Sequence, residues 1–413
     1  MMARADRGQR RRDAGRIREL ALAAGFDRAG IATAAAAATG KAYERWVAEG
    51  GHAGMSYLER GAELRRDPRS LLVGARSILC VALQYSPLAG ELEPAGDFWP
   101  GVARYARGAD YHGFLRERLS KVKEAIEDEF PGALAVVCVD TAPLLEREWA
   151  ARAGLGAFGK NTNLLHPDGG SFFLLGELLL SLDLEPDLPL SDLCGSCTRC
   201  LEACPTGALT PYRLESSRCI SYWTIETRGS IPVAIREGMG EWVFGCDICQ
   251  EVCPWNADPL GGLRAEIEPP PELLGSCDLR AEVETPPQLL GLSELHAEFE
   301  TPPELVDLDL LTVLTAPDGE LRATFRDSPL SRPKVEGLKR NAAIAMGNRG
   351  DPVYLDALSQ ALTGGSPLVR SHCAWALGRM GTPEAVAVLR AALGSEEDVV
   401  VFGELEAALS RTL

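Results

Sequence analysis

No run in the 413-residue chain approaches the ~18 consecutive apolar residues of a membrane span, so none is expected. The basic N-terminus, MMARADRGQRRRDAGRIREL, is not followed by an apolar core or a small-residue cleavage site. No secretory signal is expected either. Positive charge is scarce: 42 Lys and Arg stand against 59 Asp and Glu, a net charge of -17. Such a chain repels phosphate backbones on average, which argues against non-specific nucleic-acid binding but leaves room for a local basic face. What is present is ordinary for a globular protein, with 46% hydrophobic and 24% charged residues, so wholesale disorder is excluded. The length implies two or three domains.

Residues 14–185 alternate helical and strand patterns. LCVALQY (79–85) and LAVVCVD (134–140) are short apolar runs rich in β-branched residues and read as buried strands. Between them, residues 114–130 place Leu115, Leu119, Val122 and Ile126 at helical spacing, with charges on the other face. LLEREWAARAGLG (144–156) reads as a helix ending at glycine, and SFFLLGELLLSLDL (171–184) as a strand pair or one long buried strand. The expectation is an α/β domain with a mixed sheet over 1–185, a cysteine-rich domain over 186–260, an acidic loop over 261–310 and a helical domain over 311–413.

The acidic loop is built from three near copies of one unit, RAEIEPPPELLGSCDL, RAEVETPPQLLGLSEL and HAEFETPPELVDLDL, starting at Arg264, Arg280 and His296. Twelve acids and two bases put -10 of the -17 net charge there. Tandem proline- and acid-rich units suggest an extended surface loop, and Cys277 within it is not expected to be a ligand. The C-terminal part repeats as well: NAAIAMGNRGDP (341–352) aligns with HCAWALGRMGTP (372–383) at an offset of 31, each followed by an apolar helix. Paired helices at that period stack as a HEAT-like solenoid.

Eight of the 12 cysteines lie between Cys194 and Cys253. Cys194, Cys197, Cys200 and Cys204-Pro205 form C-x2-C-x2-C-x3-C-P, and Cys246, Cys249 and Cys253-Pro254 form C-x2-C-x3-C-P, with Cys219 between the runs. This is the bacterial two-cluster ferredoxin pattern, in which the last cysteine of each run ligates the other cluster. It assigns Cys194, Cys197, Cys200 and Cys253 to one [4Fe-4S] cluster and Cys204, Cys219, Cys246 and Cys249 to the other. Two four-cysteine zinc sites are the alternative, disfavoured because zinc motifs rarely run in that step pattern to a proline. Such clusters point to a reduced, intracellular setting. They pass electrons singly to another centre, and the long upstream domain is the place for one.

Beyond the cysteines, the chain resembles the epoxyqueuosine reductases, cobalamin-dependent iron-sulfur enzymes of tRNA modification. The resemblance is carried by RYARGADYH (104–112), VDTAPLLEREWAARAGLGAFGKNTNLLH (139–166), CGSCTRCLEACPTGAL (194–209), RCISYWT (218–224), CDICQEVCPWN (246–256) and LKRNAAIAMGN (338–348). It covers nearly the whole chain; the acidic triplicate departs from the family pattern. The resemblance implies a nitroreductase-like α/β (α+β) domain, a dicluster ferredoxin-like domain and all-α HEAT-like repeats. It implies base-off cobalamin between the first two domains and reduction of epoxyqueuosine to queuosine in tRNA, the last step of queuosine biosynthesis. A cytoplasmic monomer served by an unidentified low-potential electron donor follows from it. The sequence contains no convincing DxHxxG motif, and no histidine has the context of a cobalt ligand. A reductive dehalogenase-like enzyme and a non-catalytic electron carrier are the alternatives.

Residue by residue, Asp140 matches the family's proposed proton donor; on its own it reads as a helix N-cap. As a donor near neutral pH it is expected to have its pKa raised by burial. By position, the family's corrin contacts carry over to Arg65, Leu164, Leu175, Ser221 and the Cys246-Asp247 peptide. Lys160 and Asn161, in a glycine-rich turn, are candidates for the corrin or the RNA. Tyr105, Arg107 and His112 read equally well as packing residues. The basic stretch Arg322, Arg326, Arg332, Lys334, Lys339, Arg340 and Arg349 is the expected RNA face, with Lys339 and Arg340 as its contacts and Arg228 as a weaker one.

Overall fold

The computed structural model describes residues 6–85, 95–257 and 296–411. Cys277 and the first two acidic copies lie outside the described residues.

The N-terminal part is built on a four-stranded sheet, β1 (Arg28–Thr33), β2 (Ser77–Gln84), β3 (Ala135–Cys138) and β6 (Phe173–Leu180), in the order β1-β2-β6-β3. Every pair in it is antiparallel, which corrects the expected mixed sheet. Apolar runs mark buried strands without encoding their direction, and the long helical connections here permit either. The segment around Phe173 is one strand, not a hairpin. Leu79, Val81 and Leu83 of β2 face the helices Arg7–Ala23 and Tyr111–Glu129; Ile78, Cys80 and Ala82 face the helix Glu146–Arg152. Covered on both sides, β2 is buried along its whole length, which is why its sequence is apolar at consecutive positions. Leu115, Leu119, Val122 and Ile126 form the buried stripe of the Tyr111–Glu129 helix, as their spacing requires. A short hairpin, β4 (Ala157–Phe158) and β5 (Leu164–Leu165), carries the glycine-rich turn toward the cysteine domain.

The C-terminal part is all helical. The helices Lys334–Arg349 and Pro367–Met380 each end at a left-handed glycine, Gly350 (φ 64°) and Gly381 (φ 64°). Gly347 and Gly378 mark the repeat where helices nearly touch: a Cβ at Gly347 would lie 2.7 Å from the Ala376 backbone. Arg340 and Asn341 fasten this domain to the cysteine domain. Arg340 donates to the carbonyls of Trp223 (2.9 Å), Thr227 (2.9 Å) and Gly229 (2.7 Å), and Asn341 to those of Thr224 (2.9 Å) and Val243 (2.7 Å). The segment Tyr222–Glu226 is a π-helical turn, whose widened pitch leaves carbonyls without regular partners. The arginine and asparagine satisfy them.

The third acidic copy is not a solvated loop. Phe299 is buried against Tyr85 and Phe114, Glu298 pairs with Arg118, and Trp99 donates to the Leu305 carbonyl at 2.7 Å. Its one aromatic side chain supplies apolar area that its composition conceals. Phe299→Ala is expected to cost about 3–5 kcal/mol, the range for truncating a core aromatic; urea unfolding measures it, and a loss below about 1 kcal/mol, the central value for an arbitrary substitution, would show that the copy is not part of the core.

Candidate active site and cysteine centres

A cavity of about 400 Å³ opens where the sheet, the β4-β5 hairpin and the cysteine domain meet. One wall is apolar, with Leu164, Phe173, Leu175 and Ile220; Asn161, Asn163, Ser221 and Gln250 add polar groups. Cys204, Cys219, Cys246 and Cys249 all reach its lining, and Asp140 and Glu146 lie on it too. Of the corrin contacts expected from sequence, Leu164, Leu175, Ser221, Cys246 and Asp247 line this cavity. Arg65 is not among its lining residues. It lies on the short helix Ala62–Arg66, donates to the Arg60 carbonyl at 3.3 Å, and shares with Asp140 the neighbourhood of Tyr57 outside the cavity.

The eight cysteines are unpaired thiols that fall into two neighbourhoods. Cys253 feels Cys194, Cys200 and Cys197 electrostatically, whereas Cys249 feels Cys219 most strongly and Cys246 feels Cys249 and Cys219. Cys200 and Cys204 also act on Cys249, so the two groups adjoin. Burial raises the thiols of Cys194, Cys200, Cys219, Cys246, Cys249 and Cys253; bound iron reverses that preference by stabilising the thiolate. Lys160 and Asn161 brace these loops. Lys160 Nζ donates to the carbonyls of Gly195 (2.7 Å) and Cys197 (2.9 Å), and Asn161 Nδ2 to that of Cys249 (3.0 Å).

Asp140 follows β3 in a left-handed backbone conformation, φ 43°. It is no helix cap: the helix begins at Glu146, and the Glu146 carboxylate accepts the Asp140 N–H. The carboxylate of Asp140 instead meets His112 Nε2 at 2.8 Å, while His112 Nδ1 meets Asp110 at 2.6 Å. Arg332 approaches the same Asp140 oxygen at 3.9 Å and Glu226 at 3.2 Å. Burial pushes the Asp140 acid up, but the His112 hydrogen bond and charge, with the Arg332 charge, outweigh it and hold the carboxyl below its ordinary value. This overturns the expected rise. Asp110 and then Asp140 raise His112 to about 9 against a smaller opposing effect of burial. The stabilisation from this proton is complete below about pH 6.5 and lost as pH rises through about 9.

Behind Asp140, burial raises the Glu146 carboxyl, and Glu177 is pushed far above the carboxylate range by burial among Cys80 and Cys138, its partners on the flanking strands. From sequence, His112 reads equally well as a packing residue and Arg332 as part of the RNA face, while Glu146 and Glu177 are not singled out. The GADYH run and the LLER run contained the signal for His112 and Glu146, namely acids spaced beside them; nothing local marked Arg332 or Glu177.

Of the expected RNA contacts, Arg340 and Lys339 are turned inward, whereas Arg228 is exposed. Arg340 is fully buried and spends its guanidinium on the carbonyls named above. Lys339 donates to the Ala316 carbonyl at 2.7 Å and to Asp318 at 2.8 Å. Arg228 donates to the Ile225 carbonyl at 2.9 Å, and Arg349 pairs with Asp97 and Glu241. A basic stretch is a phosphate face only where its charges point outward; Arg340 and Arg349 close domain contacts and Lys339 is tied within the helical domain, while Arg228 stays exposed. Arg322, Arg326 and Lys334 are the exposed bases of that stretch.

Comparison with known proteins matches three family models: "Epoxyqueuosine reductase QueG, DUF1730" over residues 65–141, "4Fe-4S double cluster binding domain" over 193–256 and "HEAT repeats" over 334–410. An epoxyqueuosine reductase from Xanthomonas campestris pv. campestris is 38% identical across 89% of this chain and 96% of its own. One from Leadbetterella byssophila is 42% identical across 58% and 79%. A crystal structure of epoxyqueuosine reductase with an epoxyqueuosine-modified tRNA-Tyr stem loop superposes with a TM-score of 0.78 at 30% identity, covering 96% of this chain and 98% of that one.

Proposed function

The chain belongs to the epoxyqueuosine reductase family and is an oxidoreductase with a double [4Fe-4S] cluster binding domain, and from that premise we propose that it reduces the epoxide of epoxyqueuosine to the alkene of queuosine at the wobble position of tRNA, the last step of queuosine biosynthesis. The observation that carries this reading is one cavity with Asp140 on its wall and four cysteines on the same lining. An acid and an electron source face one space, which is what reductive opening of an epoxide requires. An electron carrier without catalysis has no use for the acid.

In this reading Cys194, Cys197, Cys200 and Cys253 hold one cluster, and Cys204, Cys219, Cys246 and Cys249 the other. The second set borders the cavity, so the second cluster is the last relay. The clusters supply electrons one at a time from a low-potential donor. The cavity also suits cobalamin: apolar side chains offer a flat macrocycle a dry face, and the amides and hydroxyls of Asn161, Asn163, Ser221 and Gln250 match a rim of primary amides. Leu164, Leu175, Ser221 and the Cys246-Asp247 peptide would hold the ring. When bound, cobalamin would supply a low-potential metal centre for two-electron reduction of an epoxide. Asp140 delivers a proton to the departing oxygen, and the apolar wall excludes competing water.

Anaerobic incubation of the iron- and cobalamin-loaded chain with epoxyqueuosine-containing tRNA and a chemical reductant tests the proposal. Nucleoside mass analysis is expected to show the loss of one oxygen atom. Unchanged tRNA with both clusters loaded would overturn it.

A further inference from the structure

We infer that the proton delivered in this site is held by His112, and that Asp140 is the group through which it passes to the substrate oxygen. The inference deepens the epoxide-reduction reading and rests on it.

The geometry leaves little choice of protonation state. Both ring nitrogens of His112 face carboxylates, Nδ1 to Asp110 at 2.6 Å and Nε2 to Asp140 at 2.8 Å. A neutral imidazole has one N–H, so one carboxylate would meet a lone pair. The imidazolium satisfies both. The arrangement is braced on every side. Asp110 caps the Tyr111–Glu129 helix by accepting the His112 N–H at 3.0 Å, and the Tyr111 ring stacks on the imidazole at 4.2 Å. Asp140 holds a left-handed backbone conformation, which a non-glycine residue keeps only where its surroundings enforce it.

The charged and titratable groups around the pair are Asp110, Tyr111 and Tyr105 beside the histidine, Glu146 behind Asp140, and Arg332 with Glu226 from the facing helices. Tyr57, Tyr105 and Tyr111 ionise well above neutrality because of burial. The Glu146 carboxyl, raised by burial to about 7, can also hold a proton near neutral pH, but it accepts the Asp140 backbone N–H, whereas His112 Nε2 meets the Asp140 carboxylate itself at 2.8 Å. His112 is not among the cavity-lining residues, whereas Asp140 is. The histidine thus acts through the aspartate as a positioning and proton-supplying residue. As the ring oxygen leaves with its electron pair, the Nε2–H bond breaks, the proton crosses to the Asp140 carboxylate, and the carboxyl gives it to that oxygen. Neutral His112 is recharged from water and supplies the second proton needed to release the oxygen as water. The two electrons come from the reduction already described.

The first test needs no cofactor. In the full chain labelled with 15N-histidine, with the His112 signal assigned by its loss in His112→Gln, the ring is expected to stay doubly protonated at pH 8. In Asp110→Asn, which keeps an equally good helix cap, its proton affinity is expected to fall at least ~10-fold, about one pH unit. Single-turnover rates of loaded enzyme on epoxyqueuosine-containing tRNA then give the pH profile. The wild-type rate is expected to fall as pH rises through about 9, Asp110→Asn to bring that fall to lower pH, and His112→Gln to lose roughly 10²-fold or more in rate at neutral pH with iron content intact. A His112 ring that is neutral at pH 8, or a His112→Gln enzyme with wild-type rate and profile, would overturn the inference. A wild-type chain with charged His112 that leaves the tRNA unchanged would refute the epoxide-reduction reading instead.

Discussion

Replacing Cys219 by alanine is expected to remove one cluster, leave the other, and abolish turnover. The anaerobically reconstituted wild type should hold about eight iron atoms per chain and the variant about four. Cys219 stands alone between the two cysteine runs, in the bend between the turn Ser216–Arg218 and the π-helical Tyr222–Glu226. Its thiol is a neighbour of Cys204, Cys246 and Cys249, all on the cavity lining. Cys80, Cys138 and Cys373 are buried in other cores and cannot substitute. The surviving cluster, on Cys194, Cys197, Cys200 and Cys253, should remain visible by electron paramagnetic resonance. Electrons reaching it would then face a gap where the last relay stood. Cys80→Ala is the control and should leave the iron content unchanged. Iron near eight in Cys219→Ala would refute the assignment of this cysteine, and stoichiometric zinc in the wild type would refute both clusters.

Asp140→Asn and Asp140→Ala are both expected to lose roughly 10²- to 10⁴-fold in turnover, the usual worth of a positioned acid. Their iron and cobalamin contents should match the wild type. The two variants separate chemistry from conformation. Asn visits the left-handed region with little penalty, so Asp140→Asn should fold as stably as the wild type except for the lost His112 contact. Ala pays about 1–2 kcal/mol for the same backbone and should show it in urea unfolding. Were Asp140 only a turn residue, Asn would turn over at nearly the wild-type rate and Ala alone would suffer. A nearly active Asp140→Asn enzyme would therefore remove the aspartate from the mechanism.

The sequence by itself determined whatever depends on short spacing. Cysteines two and three residues apart, ending in proline, specify cluster loops because one turn of chain must bring thiolates to one cube. The offset of 31 between the repeats puts Gly347 and Gly378 at equivalent helix contacts, and the residue period of the Tyr111–Glu129 helix determines its buried face. These are local properties of the backbone. Tertiary structure alone decided where charges end up and which proton they hold. Asp140 and His112 lie 28 residues apart and Arg332 lies in another domain, so the direction of the Asp140 shift was invisible in the VDT run. Lys339 and Arg340 are basic in any reading, yet the open carbonyls of a distant π-turn, together with Asp318, turn them inward. Phe299 makes an acidic repeat part of the core only because Tyr85 and Phe114 leave it a place. A side chain's type is written in the sequence, but its protonation and exposure follow from the field and packing of partners remote along the chain.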